Sequence, residues 1–110
     1  MKRGEIWTAA GGTDYASKPR PVVIIQDNRF DATRSITICS FTSDPTVAPY
    51  FRLPILSDDS NGLAKPSMLM VDKITTIPKD KLGALVGRLN DDDMVRLNRD
   101  IMIFLGLAGG

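Results

Sequence analysis

The chain has 110 residues, of which 43% are hydrophobic and 25% are charged, a composition typical of a single globular domain with one core. Fourteen Lys and Arg residues against thirteen Asp and Glu residues leave a net charge of +1, so any site for a polyanion must be local. The chain contains no histidine, which excludes Ser-His-Asp hydrolases, paired-histidine ribonucleases and histidine-ligated zinc enzymes. We therefore treat residues 1–110 as one domain whose chemistry, if it is an enzyme, does not use an imidazole.

The first third of the chain predicts two strands joined by a long loop. Residues 4–9, GEIWTA, alternate between apolar and polar side chains, as a half-buried strand does. Residues 10–19, AGGTDYASKP, are polar and rich in glycine, which favours a loop. Residues 20–27, RPVVIIQD, are apolar on both faces and predict a buried strand. This order indicates a hairpin, and the next segment, residues 28–35, reads as a second loop.

The middle of the chain continues with strands. Residues 35–42, SITICSFT, predict a strand with Ile36, Ile38, Ser40 and Thr42 on one face and Cys39 and Phe41 on the other. Residues 47–56 carry two prolines, which favour an edge or interrupted strand, and the cluster SDDSNG follows as a turn. Residues 67–77, SMLMVDKITTI, predict either one bent strand or two short ones.

The last third changes its periodicity. Residues 79–82 predict a single helical turn that Gly83 ends, and residues 84–89, ALVGRL, predict a short last strand. Asn90 suits a helix N-cap and acidic residues follow it, so we expect an amphipathic helix over 91–105 with its apolar face formed by Met94, Leu97, Ile101, Phe104 and Leu105. Closely spaced strands followed by one helix predict a mostly β fold with helix (α+β), built as a small bent sheet or partial barrel that the helix closes.

Compartment and metal content are also constrained. The longest apolar stretch, near Ile101 to Leu105, is too short to span a bilayer, and the opening MKRGEIW lacks the apolar segment of a signal peptide, so we expect a cytoplasmic protein without a membrane partner. Cys39 is the only cysteine, which excludes an internal disulfide and favours a small core residue. Without His or Cys clusters, neither a metal site nor another cofactor is expected.

The stretch KPRPVVIIQ, residues 18–26, places the guanidinium of Arg20 between two prolines at the start of a buried strand. One interpretation is an ion pair with an acid such as Asp72 at the rim of the sheet. The other is a clamp held ready for an anion, because the prolines stiffen the backbone and a guanidinium can donate to two phosphate oxygens at once. From the residues alone both interpretations stay open.

The order and spacing of five segments resemble the MazF/PemK-like toxins of bacterial toxin–antitoxin systems. These segments are KRGEIW, KPRPVVIIQ, ICSFTS, MVDKITTIPKDKLG and the helix that LNDDDM begins, and together they span nearly the whole chain. The resemblance implies a homodimer with an SH3-like partial barrel of the CcdB/PemK type. It also implies sequence-selective, metal-independent cleavage of single-stranded RNA and inhibition by a cognate antitoxin protein.

The resemblance further implies which residues form the site. Arg20 and Thr42 take the catalytic positions, Ser43 beside Thr42 is expected to contact RNA, and Asp72 and Lys73 take positions of polar base-reading groups, although an ordinary exposed strand end explains that pair equally. Independently of the resemblance, Tyr15 and Lys18 in the loop 10–19 suit a stacking face and a phosphate contact for RNA, while a solvated loop is the alternative. A hydroxyl at Thr42 suits binding of the scissile phosphate or orientation of the 2′-OH, although Thr42 or Ser43 also suits the start of a turn before Asp44. Since the 2′-OH of RNA can attack the adjacent phosphate, the protein need only position the substrate, move protons and stabilise charge. We assign no general base, and we interpret Glu5 as structural.

Two other classes of function stay open. CcdB-like gyrase poisons resemble the same fold but act by binding a topoisomerase through the tip of their C-terminal helix, where a tryptophan matters. The only tryptophan here is Trp7, and the chain ends FLGLAGG. A barrel that binds a peptide without catalysis is the second alternative. Because both Arg20 and Thr42 are present, we favour the enzyme.

Overall fold

A computed structural model describes residues 1–10, 18–46, 48 and 50–108. Within these residues the chain forms seven strands, one α-helix and three short 3-10 turns at Asn28–Phe30, Val71–Lys73 and Lys79–Lys81. The strands are β1 Glu5–Ala9, β2 Arg20–Ile24, β3 Ser35–Thr42, β4 Arg52–Ile55, β5 Ser67–Met70, β6 Thr75–Pro78 and β7 Leu82–Arg88, and the helix is α1 Asp91–Phe104.

All strand pairs are antiparallel and belong to one sheet with the order β4-β5-β3-β2-β1-β7. The long strand β3 pairs with β2 along one edge, while its other edge pairs with β6 in the first half and with β5 in the second half. The sheet is not closed, since β4 and β7 lie at its two ends. The turn at residues 57–62 contacts β7 through the Arg88 N–H, which donates to the Ser60 carbonyl at 2.9 Å. The expected mostly β fold with one C-terminal helix is confirmed.

The alternation of β3 sorts its side chains into two apolar clusters. Cys39 and Phe41 belong to the larger one, together with residues such as Ile6, Leu69 and Leu97. The smaller cluster, on the opposite face, consists of Ala9, Val22, Ile24, Ile36 and Ile38. Successive side chains of a strand point to opposite faces, so the pattern of SITICSFT specifies both clusters at once, as the sequence predicts.

The helix α1 begins where the sequence predicts. The Asn90 Oδ1 atom accepts from the Asp93 N–H at 2.7 Å, and three aspartates occupy the first turn, where the helix dipole favours negative charge. Leu97 is fully buried and Met94 packs beside it, but Phe104 remains 46% exposed. The predicted apolar face is therefore buried in its first part and open to solvent at its end. No helix among the described residues is long and apolar enough to cross a membrane.

Three local predictions need correction or refinement. The segment expected to be only a loop contains the 3-10 turn Asn28–Phe30, which the Asp27 carboxylate caps by accepting from the Arg29 N–H at 2.8 Å. Gly83 does not end a helical turn but lies within β7, where an added Cβ would come within 2.7 Å of the Thr8 hydroxyl. The segment 67–77 forms two short strands, because the 3-10 turn Val71–Lys73 separates β5 from β6.

Cys39 is a core residue, as expected. It is fully buried, and its Sγ donates to the Met70 carbonyl at 3.2 Å. Burial, with a smaller contribution from the charge of Asp72, raises the pKa of the Cys39 thiol to about 12. Because only a thiolate is a strong nucleophile, this thiol is chemically inert at neutral pH.

Candidate active site

The candidate site lies at the end of the sheet where β2 begins, β3 ends and β5 begins. In the β2–β3 ladder Val22 pairs with Ser40. Continuing this antiparallel register by two residues places Arg20 opposite Thr42, and residues directly opposite each other project from the same face of a sheet. The two predicted catalytic residues therefore become neighbours although they are 22 positions apart in the sequence.

A concavity of about 270 Å³ opens beside this pair, and we call it the Arg20 concavity. Its apolar walls come from Pro21, Phe41 and Leu63. Its polar lining comes from two cations and three hydroxyl groups, namely Arg20, Lys65, Thr42, Ser43 and Ser67. No carboxylate lines it among the described residues, so the concavity carries positive charge and hydrogen-bond donors suited to an anion.

The alternative ion pair between Arg20 and Asp72 does not form. Both carboxylate oxygens of Asp72 accept from the Arg52 guanidinium, with N–O distances of 2.9 and 3.2 Å. None of the ion pairs among the described residues involves Arg20, whose side chain is exposed. The clamp interpretation is thus the one that the described contacts favour.

The turn-forming role considered for Thr42 is observed, and it leaves the hydroxyl proton of Thr42 available for the other role. Its Oγ1 atom accepts from the Asp44 N–H at 3.2 Å, so it does begin the turn that leads towards Pro45. A hydroxyl that accepts from the backbone still has its own proton to donate. Because the turn fixes the oxygen, the Thr42 O–H can donate towards an anion in the Arg20 concavity.

Asp44 is the carboxylate next to this turn, and its environment makes it a weak base. Hydrogen bonds from the Thr46 hydroxyl and the Thr46 N–H, with distances of 2.6 and 3.0 Å, lower the pKa of Asp44 below its usual value. A carboxylate with a lowered pKa accepts a proton less readily. The structure therefore adds no candidate for the general base.

Lys65 is a site residue that the sequence reasoning missed. It lies in the loop before β5, and its side chain lines the Arg20 concavity. The pairing of Thr42 with Met68 places the residues before β5 beside the end of β3. Only this non-local pairing identifies Lys65, because KPS in the sequence reads as an ordinary turn.

Of the other predicted RNA contacts that the structure describes, only Ser43 lines the Arg20 concavity. Tyr15, with residues 11–17 of the loop that carries it, lies outside the described residues. Lys18 is exposed two residues before Arg20, and Ser43 does line the concavity. Asp72 and Lys73 belong to the 3-10 turn Val71–Lys73 and are absent from its lining. Their contacts with RNA stay predictions.

The Arg52–Asp72 ion pair is expected to make the stability of the protein depend on pH. Hydrogen bonds from Arg52 lower the pKa of Asp72, so the pair stabilises the fold above the unfolded-state pKa and ceases to do so as the pH falls through the folded-state pKa. We expect Asp72→Asn to reduce the free energy of unfolding by about 1 kcal/mol at neutral pH, a difference that shrinks as the pH falls below the usual aspartate pKa of about 4. Urea unfolding at a series of pH values measures it, with exposed Asp80→Asn as the control. A difference that is constant with pH would contradict the assignment.

Comparison with known proteins defines the class and then the family. The fold is that of bacterial endoribonuclease toxins: a Mycobacterium tuberculosis toxin, MazF-mt6, superposes with a TM-score of 0.78 at 25% identity, covering 96% of this chain and 99% of that one. A mycobacterial endoribonuclease in complex with its cognate antitoxin superposes with a TM-score of 0.79 at 22% identity, covering 100% and 99%. The chain belongs to the family of PemK-like, MazF-like toxins of type II toxin–antitoxin systems, whose model matches residues 2–105.

Sequence comparison gives a nearer relative than these structures. A probable endoribonuclease MazF of Mycolicibacterium smegmatis is 51% identical over 109 residues, covering 99% of this chain and 100% of the relative. Endoribonuclease MazF9 of Mycobacterium tuberculosis is 27% identical over 117 aligned positions, covering 97% and 98%. The resemblance drawn from the sequence motifs is confirmed.

Proposed function

We propose that the protein is a sequence-selective endoribonuclease that cleaves single-stranded RNA, including mRNA, and acts as the toxin of a toxin–antitoxin pair. The observation that carries this proposal is that the strand register aligns Arg20 with Thr42 in a cationic concavity to which no described residue contributes a carboxylate. The full-length identity of 51% to a probable endoribonuclease supports the same activity.

In the proposed reaction the 2′-OH of the nucleotide before the cut attacks the adjacent phosphorus, and the 5′-oxygen of the next nucleotide leaves. Arg20 binds two non-bridging oxygens through its planar guanidinium and stabilises the charge that develops on them. The Thr42 O–H donates to the same phosphate, and Lys65 adds positive charge to the lining of the concavity. We assign no residue to remove the 2′-OH proton. The 2′-OH gives up its proton to solvent and the departing 5′-oxygen takes one up from solvent, so the products are a 2′,3′-cyclic phosphate and a 5′-hydroxyl end.

The partners that we propose follow from charge and exposed apolar surface. Lys18, Arg20 and Lys65 give this end of the sheet a positive charge, which suits the extended acidic tail of an antitoxin that occupies the RNA site.

Tyr50 and the end of α1 expose apolar side chains, including Leu107 at 67% exposure, which suits an interface between two copies of the chain. We propose a homodimer that acts on RNA in the cytoplasm.

The alternative of a CcdB-like gyrase poison has less support. Trp7 lies in β1, and its Nε1 donates to the Glu5 carboxylate at 3.0 Å, so it is a structural residue rather than an exposed contact at the tip of the helix. This bond also agrees with the structural interpretation of Glu5.

A single 2′-deoxy substitution tests the proposed mechanism. Purified protein is incubated with a long single-stranded RNA in EDTA, the cuts are mapped, and the preferred site is resynthesised with deoxyribose on the 5′ side of the cut. We expect cleavage in EDTA and its complete loss in the deoxy substrate, with binding nearly unchanged, because the nucleophile is missing. The matched control carries the deoxyribose one nucleotide further away. Undiminished cleavage of the first substrate would rule out 2′-OH attack, and inhibition of gyrase without any RNA cleavage would favour the poison.

A further inference from the structure

A second basic concavity, of about 310 Å³, lies at the opposite end of β1. We call it the Lys2 concavity, and its lining consists of Lys2, Arg3, Glu5, Asn28 and Arg88. Glu5 is the one carboxylate that the described residues contribute to it, and its Oε1 already accepts from the Lys2 N–H at 2.7 Å and from Trp7 Nε1 at 3.0 Å. None of the ion pairs among the described residues involves the side chains of the three cations. Positive charge is therefore concentrated at this end of the sheet.

The backbone around Arg3 holds this concavity in a fixed shape. The Arg3 Nε–H donates to the Ile25 carbonyl at 2.8 Å, and the Arg3 N–H donates to Asn28 Oδ1 at 2.7 Å. The Glu5 N–H donates to the Lys2 carbonyl at 3.0 Å and closes a turn in which Gly4 has a φ of +90°, a value that favours glycine. With Nε anchored, the two terminal nitrogens of Arg3 have no hydrogen-bond partner among the described residues.

The chemistry of the lining suits a phosphate group. Burial lowers the pKa of Arg3 and the charge of nearby Asp27 offsets this only in part, so a further anion would stabilise the partly desolvated guanidinium. A phosphate is tetrahedral and accepts hydrogen bonds from several directions. A carboxylate is planar and is best bound by the two parallel N–H donors of a single guanidinium. Donors here come from three cationic side chains on two segments and from the Asn28 amide. Such a convergent set matches phosphate better than carboxylate.

We propose that the Lys2 concavity binds a backbone phosphate of the RNA at a distance from the cleaved linkage. This inference rests on the proposed function. In β1 Ala9 is opposite Arg20, and Glu5 is opposite Arg88 in β7. Four residues of strand separate these positions, about 13 Å at roughly 3.3 Å per residue. Only an RNA that extends several nucleotides past the cut can therefore occupy both concavities.

Binding measurements with two RNA lengths test the proposal. Both RNAs carry 2′-deoxyribose at the cut, the short one holds only the cleaved linkage and its nearest neighbours, and the long one extends well beyond it on both sides. We expect Arg88→Gln and Lys2→Gln to weaken binding of the long RNA several-fold and to reduce its log–log salt slope by about 0.7 per lost phosphate contact. Binding of the short RNA should not change. Two separate variants guard against a local folding defect in one of them.

Arg29→Gln is the matched control, because Arg29 is an exposed cation near the same end of the sheet that pairs with Asp27 and does not line the concavity. The proposal is overturned if Arg29→Gln weakens binding of the long RNA as much as the two concavity variants do. It is also overturned if neither Arg88→Gln nor Lys2→Gln weakens that binding. Inorganic phosphate is the second probe, and its binding is followed by the NMR signals of Arg88. If phosphate perturbs these signals but Arg88→Gln does not change RNA binding, the site binds free phosphate instead of RNA. Cleavage of the short RNA with ribose at every position tests the proposed function separately from the Lys2 concavity. If the wild-type protein does not cleave this RNA, the proposed function is contradicted but the anion site is not.

Discussion

Replacing Arg20 by lysine is expected to slow RNA cleavage by about a hundredfold or more. Lysine keeps the positive charge but lacks the planar fork that holds two phosphate oxygens, and loss of one donor to a developing oxyanion has effects of about this size. The substitution should leave the fold intact, since the Arg20 side chain is exposed and has no ion pair among the described residues. Single-turnover cleavage of a short RNA, with circular dichroism to verify folding, measures the effect.

Two further variants calibrate this result. Thr42→Ala should slow cleavage less than Arg20→Lys, because the donor that it removes is neutral. The effect should still be measurable, since the substitution also removes the hydroxyl that accepts from the Asp44 N–H. Arg34→Lys, at an exposed arginine outside the Arg20 concavity, should leave cleavage unchanged. A folded Arg20→Ala protein with full activity would remove Arg20 from the mechanism.

The features that could be predicted from the sequence are those that local patterns specify. The alternation of SITICSFT predicts both faces of β3, and Asn90 followed by three aspartates predicts the start of α1, because side-chain period and capping act over a few residues. The assignment of Thr42 as the partner of Arg20 rests instead on the family resemblance. The strand register then supplied a physical reason for pairing it with Thr42.

The features that the sequence did not reveal depend on contacts between distant segments. Lys65 belongs to the site because β5 pairs with the end of β3, and the partner of Asp72 is Arg52, 20 positions away. Gly83 reads as a helix stop, yet it lies in a strand where Thr8 of β1 leaves no space for a side chain. In each case two segments had to be aligned before the role of the residue became apparent.

The turn that leads to Lys65 depends on one buried amide, that of Asn61. This side chain is fully buried, and its Nδ2 donates to the Leu56 carbonyl at 2.8 Å. Its Oδ1 accepts from the N–H groups of Asp58 and Leu63 at 3.1 and 3.0 Å. The turn also packs tightly on β7, where a Cβ at Gly87 would lie 2.4 Å from the Ser60 carbonyl. Asn61 therefore fixes the start of the loop that lines the Arg20 concavity.

Asn61→Leu is expected to reduce the free energy of unfolding by about 3 kcal/mol, because an apolar side chain of similar size removes three hydrogen bonds and leaves their backbone partners unsatisfied. At roughly 4–8 °C per kcal/mol, thermal unfolding should move down by more than about 10 °C. Asp59→Asn, an exposed substitution in the same turn, should shift it little. At a temperature where the Asn61→Leu protein stays folded, displacement of Lys65 should raise the KM for RNA more than it lowers kcat, which a purely global loss of stability would not do. A melting temperature within a few degrees of the wild type would show that the turn is held by other contacts.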